Sequence, residues 1–528
     1  MSSSNNQVNQ GQIGSAQIGT AQIGSTVYIP RFVEGKLNQS LTKPIITMIT
    51  GARQVGKSTL LNRLKDYVVK NLLSKSDEFA FENNVFSYTL DDIPLRAQLK
   101  KDITYLQKDI ELALAVSIFD VRKPVYIFID EIQKFLPLLD WIKQVYDRNS
   151  SFVKFVITGS SVTGFTKKLT ETLAGRIEFV HLTPISLPEL VKFRFNKVDL
   201  FLPKLIKGFS NASDTTQEVD NSTFNPEDML ASLEEKEQKD VVGIVSESMQ
   251  SLARSYRTNI KTIVGTYLEH LFYGGMPKVY NMPVSQRQAV LQSYITVYLE
   301  REVGYVARNI DLELFGLSLS SFAKFNGVPI NIQEIAKEVG IARPSIYRYL
   351  DLLEQTFLIK KIYPYPNTGK NKMKSVKLVY LDPGLLNVLL NISDIRELVT
   401  SPYLKQVVLS SFVLNLWTYL ADSVGIDNIY YWQDYEDHSA DIIIDLRDLT
   451  VVFLFDLANT TDNRKFITTL KTFAKYAKRD NILFVTPTWD VKSFTLDFSV
   501  KQLDQEQFGL DKINKNVYLL EAPVYMFV

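Results

Sequence analysis

Short apolar runs alternate with amphipathic stretches from about residue 40 onward, and this alternation predicts a parallel α/β sheet. Helical stretches such as Lys57–Leu73 and Leu136–Tyr146 separate the runs. Because a parallel strand pair needs a helical crossover, these elements indicate one α/β domain over about residues 27–200. The runs that we interpret as buried strands are Ile45–Ile49, Val85–Leu90, Val125–Ile129, Phe152–Ile157 and Ile177–Leu182.

Composition and pattern change after this domain. The stretch Asn211–Asp240 holds nine acidic residues against two lysines, which predicts an insertion or linker. Helical periodicity returns from Tyr256, and a compact helix–turn–helix pattern occupies Asn331–Leu353. The β-like runs of the last segment are Ile429–Trp432, Asp441–Leu446, Val451–Leu457 and Ile482–Val485. The expected units are a low-complexity tail over 1–26, the α/β domain over 27–200, an acidic linker over 201–255, a helical lid over 256–322, a helix–turn–helix unit over 323–385 and an α/β domain over 386–528.

The first 26 residues contain a repeat with a period of five, Gln-Ile-Gly at positions 12–14, 17–19 and 22–24. Three short copies are too few to bury a core, so one interpretation is a flexible tail. The other rests on a resemblance, because Gln-Ile-Gly is similar to the core of RHIM-type amyloid signalling motifs, which could pair in cross-β fashion. Those motifs have a β-branched residue before Gln, whereas this chain has Gly11, Ala16 and Ala21.

Composition narrows the chemistry further. The 528 residues carry a net charge of +1, with 22% charged and 45% hydrophobic residues, as expected for a globular protein. The chain has no cysteine and three histidines, which excludes disulfides, thiolate nucleophiles, cysteine zinc sites and iron–sulfur clusters. No apolar run approaches about 18 residues and the start is polar, so we expect a cytoplasmic protein without membrane contact.

A phosphate-binding motif follows the first strand. Its spacing matches G-x-x-x-x-G-K-[ST], and it lies between an apolar strand and an amphipathic helix. The glycines let backbone N–H groups face phosphate oxygens, Lys57 would neutralise the β- and γ-phosphates, and the Ser58 hydroxyl would help to hold Mg²⁺. The expected nucleotide-binding residues are Gly51, Ala52, Arg53, Gln54, Val55, Gly56, Lys57, Ser58 and Thr59.

Two carboxylates end the third strand. The run Val125–Ile129 is followed directly by Asp130 and Glu131. In this arrangement Asp130 is expected to contact Mg²⁺ directly or through water, and Glu131 to polarise the attacking water. With the P-loop, these carboxylates predict ATP and Mg²⁺ as the cofactors.

These residues are part of a wider resemblance. The sequence resembles a family of prokaryotic AAA+-type ATPases that carry a C-terminal region of uncharacterised function, and the resemblance covers most of the chain outside the tail and the acidic linker. The motifs that carry it are Tyr28-Ile29-Pro30-Arg31, Gly51–Ser58, Asp130-Glu131-Ile132-Gln133, Thr158-Gly159-Ser160-Ser161, Leu173–Arg176, Pro184-Ile185-Ser186, Gly274–Pro277 and Tyr380–Leu385.

The resemblance implies two further catalytic groups. A hydroxyl at the end of the fourth strand takes the position of the AAA+ sensor residue, and Thr158, Ser160 and Ser161 all qualify. Ser160 is included among the expected catalytic residues. Arg176 lies where AAA+ proteins place the arginine that stabilises transition-state charge across a subunit interface, which implies a homo-oligomer. The alternative is an ordinary surface arginine.

The helix–turn–helix unit is interpreted as a winged helix. Its second helix would present Arg343, Ser345 and Arg348 near its N-terminus, where recognition helices meet DNA, and the hairpin beyond would add Lys372 and Lys374. Ten basic and four acidic residues over 324–377 give this unit a local charge of +6. Winged helices also serve as packing modules, so DNA contact and packing both stay open.

The C-terminal segment resembles the restriction-endonuclease-like fold that often ends this family. The resemblance implies a helix acid, an Asp and a Glu-x-Lys as catalytic groups. Asp441 matches the Asp, whereas Asp456 and Ala458 stand where Glu and Lys are expected, and Ser410 or Ser411 replaces the helix acid. We therefore expect an inactive domain used for packing or binding.

The combined expectation is an α/β P-loop NTPase sheet, followed by a helical lid, a winged helix and a nuclease-like α/β domain. Its function is expected to be that of a Mg²⁺-dependent AAA+/STAND-like ATPase, with the nucleotide state controlling contacts of the C-terminal domains. The alternatives are a DNA-binding ATP switch, a signalling protein that assembles through its Gln-Ile-Gly tail, and an active nuclease.

Overall fold

The computed structural model describes residues 27–73, 84–160, 169, 171–195, 199–201, 203–205, 240–303, 310–366, 375–423, 429–455, 463–489, 494–505, 508, 510, 513 and 515–527. The Gln-Ile-Gly repeats lie outside these residues, as does the acidic stretch up to residue 239. So do Ser161, Lys372, Lys374, Asp456 and Ala458.

The helices and strands are numbered in chain order. The helices are α1 Glu34–Ser40, α2 Lys57–Tyr67, α3 Ile93–Lys101, α4 Tyr105–Leu114, α5 Leu138–Asn149, α6 Leu187–Phe195, α7 Val241–Tyr256, α8 Ile260–Tyr273, α9 Pro277–Tyr280, α10 Val284–Val297, α11 Leu312–Lys324, α12 Ile332–Val339, α13 Arg343–Gln355, α14 Pro383–Leu389, α15 Ile395–Thr400, α16 Leu404–Ser423 and α17 Asn463–Ala474. The strands are β1 Ile46–Thr50, β2 Val85–Thr89, β3 Val125–Asp130, β4 Val153–Gly159, β5 Ile177–His181, β6 Ile359–Pro364, β7 Lys377–Tyr380, β8 Ile429–Gln433, β9 Ser439–Asp445, β10 Leu449–Phe453, β11 Asn481–Thr488, β12 Ser499–Gln502 and β13 Asn516–Pro523.

The N-terminal sheet has five parallel strands in the order β2-β3-β4-β1-β5. The predicted parallel α/β sheet is therefore confirmed, and each predicted strand agrees with the observed one within two residues at either end. Because β4 lies between β1 and β3, the loops after these three strands meet at one edge of the sheet, where open α/β sheets bind their ligands.

Both faces of this sheet are buried, since its strands alternate their side chains between two cores. One core contains Met48, Ile127 and Phe155 and packs against helices α3, α4 and α5. The other contains Ile49 and Phe128 and is continuous with buried residues from the rest of the chain. This pattern explains why the strands are uninterrupted apolar runs instead of alternating ones.

A second sheet of eight strands has the order β12-β13-β11-β10-β9-β8-β6-β7. The antiparallel hairpin β6–β7 follows helices α12 and α13, and β6 also pairs in parallel with β8 through Tyr363 and Pro364. The hairpin and the C-terminal strands thus form one sheet, which crosses the predicted boundary at residue 385. The face that carries Leu483 and Val485 contributes to the same core as the inner face of the N-terminal sheet.

The expected linker over 201–255 needs correction at its C-terminal end. Residues Val241–Tyr256 form helix α7, whose side chains Val245, Met249 and Leu252 are fully buried. Apolar spacing of three and four residues accounts for this helix, and the acidic composition of the preceding stretch concealed it.

Among the described residues, none of the helices is both long enough and apolar enough to cross a membrane.

The segment that joins α8 to α9 packs tightly against the N-terminal domain. The N–H of Ile185 donates to the carbonyl of Gly275 at 2.7 Å, and a Cβ atom at Gly275 would lie 2.0 Å from the carbonyl oxygen of Ile185. Only a glycine fits this approach, because real Cβ contacts do not come so close.

We predict that Gly275→Ala lowers the free energy of unfolding by about 1–3 kcal/mol, since the new methyl group must separate two hydrogen-bonded backbones. The matched control is Gly265→Ala in helix α8, where a Cβ atom meets nothing within 4 Å. Alanine should stabilise that exposed helical position by up to about 1 kcal/mol. Urea unfolding midpoints of the two variants measure the difference in stability, and equal shifts would contradict the close backbone approach at Gly275.

Candidate nucleotide-binding site

The P-loop connects β1 to α2 through backbone conformations that favour glycine. Gly51 has φ +155° and Gly56 has φ +100°, and Gln54 between them also has a positive φ. A Cβ atom at Gly51 would lie 2.2 Å from the carbonyl oxygen of Leu182. Such alternating conformations orient successive N–H groups toward one point, which is the geometry of an anion-binding nest.

Lys57 is buried at the start of α2 and closes the loop on itself. Its Nζ donates to the carbonyl of Gly51 at 3.0 Å and to that of Ala52 at 2.8 Å. Ser58 and Thr59 are exposed in the first turn of the helix. The ammonium group and the helix N-terminus are thus both available to neutralise phosphate charge.

The carboxylates at the end of β3 are organised by Thr158 at the end of β4. The buried Thr158 hydroxyl donates to Asp130 Oδ1 and accepts the N–H of Glu131 at 3.1 Å. Glu131 has a left-handed φ of 59°, which ends the strand and turns its side chain out of the sheet pattern. One hydroxyl therefore joins both carboxylate residues to the neighbouring strand.

Two of the three hydroxyls predicted as alternatives belong to the described residues and have different surroundings, whereas Ser161 lies outside them. Thr158 contacts Asp130 and Glu131, as described above, whereas Ser160 Oγ accepts a hydrogen bond of 2.9 Å from Gln133 Nε2. The same Nε2 also donates to Glu131 Oε2. Gln133 was noted in the sequence only as part of a family motif, and nothing in its spacing indicates these contacts.

The residues at this edge fit Mg²⁺. Ser58, Asp130 and Thr158 offer hydroxyl and carboxylate oxygens, the hard ligands that this ion prefers, and the site contains no competing sulfur ligand because the chain has no cysteine.

Arg176 lies at the opposite end of the sheet from the P-loop. It precedes β5, and its carbonyl accepts the N–H of Ile46 at the start of β1. Its guanidinium pairs with both carboxylate oxygens of Asp147, at 2.5 and 3.2 Å, and this pairing lowers the pKa of Asp147. The structure therefore does not bring Arg176 to the P-loop of its own chain.

A buried arginine hydrogen-bonds the backbone of the P-loop and of the segment after β5. Arg31 donates through Nη1 to the carbonyl of Val55 at 3.3 Å and through Nη2 to those of Thr183 and Pro184, at 2.7 and 3.1 Å. Its Nε pairs with Glu189 Oε1 at 3.1 Å, and both side chains are at most 4% exposed. Sequence reasoning missed this role, although Arg31 belongs to one of the matched motifs.

The helical region also reaches the P-loop. The ring of Pro277 lies 3.9 Å from the position of a Cβ atom on Gly56. Just before it, the N–H of Gly275 donates at 2.8 Å to Asp382, a carboxylate that also caps helix α14 by accepting the N–H of Leu385. Burial raises the pKa of Asp382 to about 6, although these N–H groups oppose the shift.

The winged-helix candidates are only partly described. Arg343 and Arg348 are exposed in the N-terminal half of α13, and Ser345 is half-buried. Ile346 and Leu353 on the same helix are fully buried. Lys372 and Lys374 lie outside the described residues.

The nuclease-like position carries lysines around its carboxylate. Asp441 accepts the N–H of Phe455 at 2.8 Å and lies 2.9 Å from Lys405 Nζ and 3.9 Å from Lys377 Nζ. Burial by itself raises the pKa of this carboxyl. The charges of the two lysines, mainly that of the nearer Lys405, outweigh burial, so the pKa is lowered. Two ammonium groups thus lie where a nuclease would hold its cation.

The serines at the helix-acid position have structural partners. Ser410 donates to the carbonyl of Tyr380 at 2.5 Å, and Ser411 Oγ lies 3.2 Å from His270 Nδ1. His438 lies in the turn before β9, where Asp434 Oδ1 accepts its N–H.

Comparisons with known proteins agree with this geometry. Residues 43–191 match a family model described as AAA domain, and residues 264–396 match one described as Domain of unknown function (DUF8612). The sheet, the P-loop and the first match together define the N-terminal domain as a P-loop ATPase domain of the AAA type.

Two curated relatives carry the description uncharacterized protein. One from Mycobacterium tuberculosis is 27% identical over 213 residues, which are 39% of this chain and 47% of that protein. The chain therefore matches about half the length of this curated relative. One from Haemophilus influenzae is 23% identical over 347 residues, 64% of this chain and 68% of its own. The structure of C. elegans PCH-2 overlaps 33% of this chain and 45% of its own at 13% identity, and its TM-score of 0.23 supports no argument.

The described residues include a pH-sensitive group next to the P-loop. His181 Nδ1 lies 2.6 Å from Thr50 Oγ1, one residue before Gly51. Burial, together with the charges of Lys360 and Lys36, lowers the pKa of His181 to about 4. The imidazole is therefore neutral in the folded protein at neutral pH.

We predict that His181 costs the protein stability in acid. The unfolded state binds a proton near pH 6.5 and the folded state only near pH 4, so the free energy of unfolding should fall as pH drops through this window, by up to about 3 kcal/mol. His181→Gln should make this fall shallower. Urea unfolding at pH 7, 5.5 and 4.5 measures the slope, and identical slopes for the variant and the parent protein would contradict the prediction.

Proposed function

We propose that this protein hydrolyses ATP with Mg²⁺ and uses the nucleotide state to control its C-terminal region. The proposal of ATP hydrolysis rests on one observation, the contact of Thr158 with Asp130 and Glu131. Thr158 lies on β4, the strand between the carboxylates and the P-loop. This arrangement supports phosphate binding and water activation at one edge of the sheet.

Each residue has a role in this proposal. The loop from Gly51 to Gly56 and Lys57 bind the phosphates, Ser58 and Asp130 hold Mg²⁺, and Glu131 accepts a proton from the attacking water. Bound Mg²⁺ would supply charge neutralisation at the transferring phosphoryl group.

Arg176 enters the proposal only through a second copy of the chain. Its position at the far end of the sheet supports a role across a subunit interface. There its guanidinium would leave Asp147 and contact the nucleotide bound to a neighbouring subunit. Homo-oligomerisation is thus part of the proposal.

The second half of the proposal is a mechanical link from the P-loop to the C-terminal region. Phosphate binding acts on loop residues that are held on one side by Arg31 and bordered on the other by Pro277. The segment that contains Pro277 is hydrogen-bonded through Gly275 to Asp382, at the start of α14. A displacement of the loop would therefore bias the packing of α9 and α14.

We predict that Glu131→Gln lowers ATP turnover at least about 100-fold, because only the proton acceptor is lost. Its ATP affinity should stay within about twofold of that of the parent protein. Lys57→Ala is the matched variant and should weaken binding itself. Phosphate release and equilibrium binding of a fluorescent ATP analogue measure the two effects. Normal turnover in Glu131→Gln would overturn the assignment of the base.

The same Glu131→Gln protein tests the link. With ATP bound, hydrogen exchange should slow in the P-loop and also in residues 274–280 and helix α14. Protection confined to the P-loop would contradict the proposed control of the C-terminal region while leaving ATP binding intact.

A second candidate function is DNA binding through the α12–α13 unit. It is favoured by the exposed pair Arg343 and Arg348 on the N-terminal half of α13, beside the exposed ring of Tyr347. Assembly through the Gln-Ile-Gly tail and a cytoplasmic location remain predictions, and nuclease activity is not proposed, given the lysines beside Asp441.

We predict that Arg343→Ala/Arg348→Ala weakens duplex DNA binding at least tenfold and flattens its dependence on salt, because two phosphate contacts are lost. Lys65→Ala/Lys70→Ala on the ATPase domain removes the same net charge elsewhere and should change little. Fluorescence anisotropy between 50 and 200 mM salt measures both effects. Absence of binding at low salt would favour the packing interpretation.

A further inference from the structure

Gln133 links the catalytic carboxylate to the sensor strand. It lies in the single 3₁₀ turn Ile132–Lys134 that follows β3, two residues after Glu131. Its Nε2 donates to Glu131 Oε2 and, at 2.9 Å, to Ser160 Oγ on the neighbouring strand. The amide group is therefore engaged on both sides by groups of the proposed site.

The orientation of this amide follows from the charge of its partner. An ionised carboxylate accepts hydrogen bonds and cannot donate them, so the nitrogen of Gln133 must face Glu131 and the oxygen must face away. The alternative orientation would bring two acceptor oxygens together.

The oxygen of the same amide lacks a partner. Gln133 Oε1 is buried and accepts no hydrogen bond from the described part of the chain. A buried acceptor without a donor costs about 1–3 kcal/mol, and native proteins keep such groups where a ligand or water supplies the donor. The unsatisfied acceptor thus belongs to the same amide whose nitrogen holds the Glu131 carboxylate.

We propose that Gln133 is a positioning residue for ATP hydrolysis, in which Nε2 fixes the Glu131 carboxylate that takes a proton from the attacking water. This inference rests on the proposed ATPase function. In the step, the water oxygen bonds to the γ-phosphorus, its proton passes to Glu131, and the bond from the γ-phosphorus to the bridging oxygen breaks, with the electron pair leaving on ADP.

The neighbouring hydroxyls have complementary roles. Thr158 fixes the backbone of Glu131 and the Asp130 carboxylate, so it sets the backbone position from which the Glu131 side chain extends. Ser160 accepts the second hydrogen bond of Gln133 Nε2, so it helps to set where the side chain of the base points. Two hydrogen bonds therefore orient Glu131. Its backbone N–H bonds to Thr158, and its carboxylate bonds to Gln133, which Ser160 in turn holds in place.

The decisive experiment compares Gln133→Leu, which keeps the side-chain volume and removes both polar groups, with Gln98→Leu, an exposed position on α3. We expect Gln133→Leu to lower kcat by about 10- to 100-fold, the range for a misplaced base, with ADP affinity within about twofold. The KM for ATP should stay within about twofold, because Gln133 acts on the base and not on the bound nucleotide. Ser160→Ala should show a smaller decrease in kcat, and Gln98→Leu no change.

The outcomes separate the two levels of the proposal. If the parent protein hydrolyses ATP and Gln133→Leu matches it in kcat, the role of Gln133 is overturned and the ATPase function stands. Loss of ADP affinity in proportion to kcat would show a structural role and also overturn it. If the parent protein has no turnover, the ATPase function fails, and this inference fails with it.

Discussion

The structure depends on one apolar core to which both sheets contribute. The inner face of the five-stranded sheet, with Ile49 and Phe128, and one face of the eight-stranded sheet, with Leu483 and Val485, bury their side chains in it together with the intervening helices. Neither sheet could keep this face in water, since each buried aliphatic side chain contributes about 1.5–3 kcal/mol. The ATPase domain and the C-terminal region are therefore parts of one folding unit.

Polar contacts are placed where this core approaches the phosphate-binding edge. Arg31 and Glu189 bury opposite charges there, and each also hydrogen-bonds backbone groups, as buried ions require. Asp382 is likewise surrounded by N–H donors. A purely apolar contact would tolerate small displacements of the P-loop, whereas these directional bonds have one favourable geometry. The loop is consequently coupled to its surroundings by groups with little freedom to adjust.

The sequence was sufficient for the elements whose local signal is strong. The five strands of the first sheet are continuous apolar runs next to glycine- or carboxylate-containing turns, and both helices around Gly340 have clear periodicity. Strand β12 escaped prediction because Ser499–Gln502 is mostly exposed and follows no apolar pattern. The partners of Gln133 and Arg31 could not be predicted either, since they depend on the backbone turn at Glu131 and on contacts across 158 residues.

The shared core also has a consequence for synthesis of the chain. The five strands leave the ribosome by residue 181, yet the core that contains Ile49 and Phe128 extends to Phe527, which packs against Phe201. At about 5–20 residues per second, the rest of the chain takes tens of seconds to appear. During that interval the part of the core that is already made lacks its later partners, and such transiently exposed apolar surface is prone to aggregate.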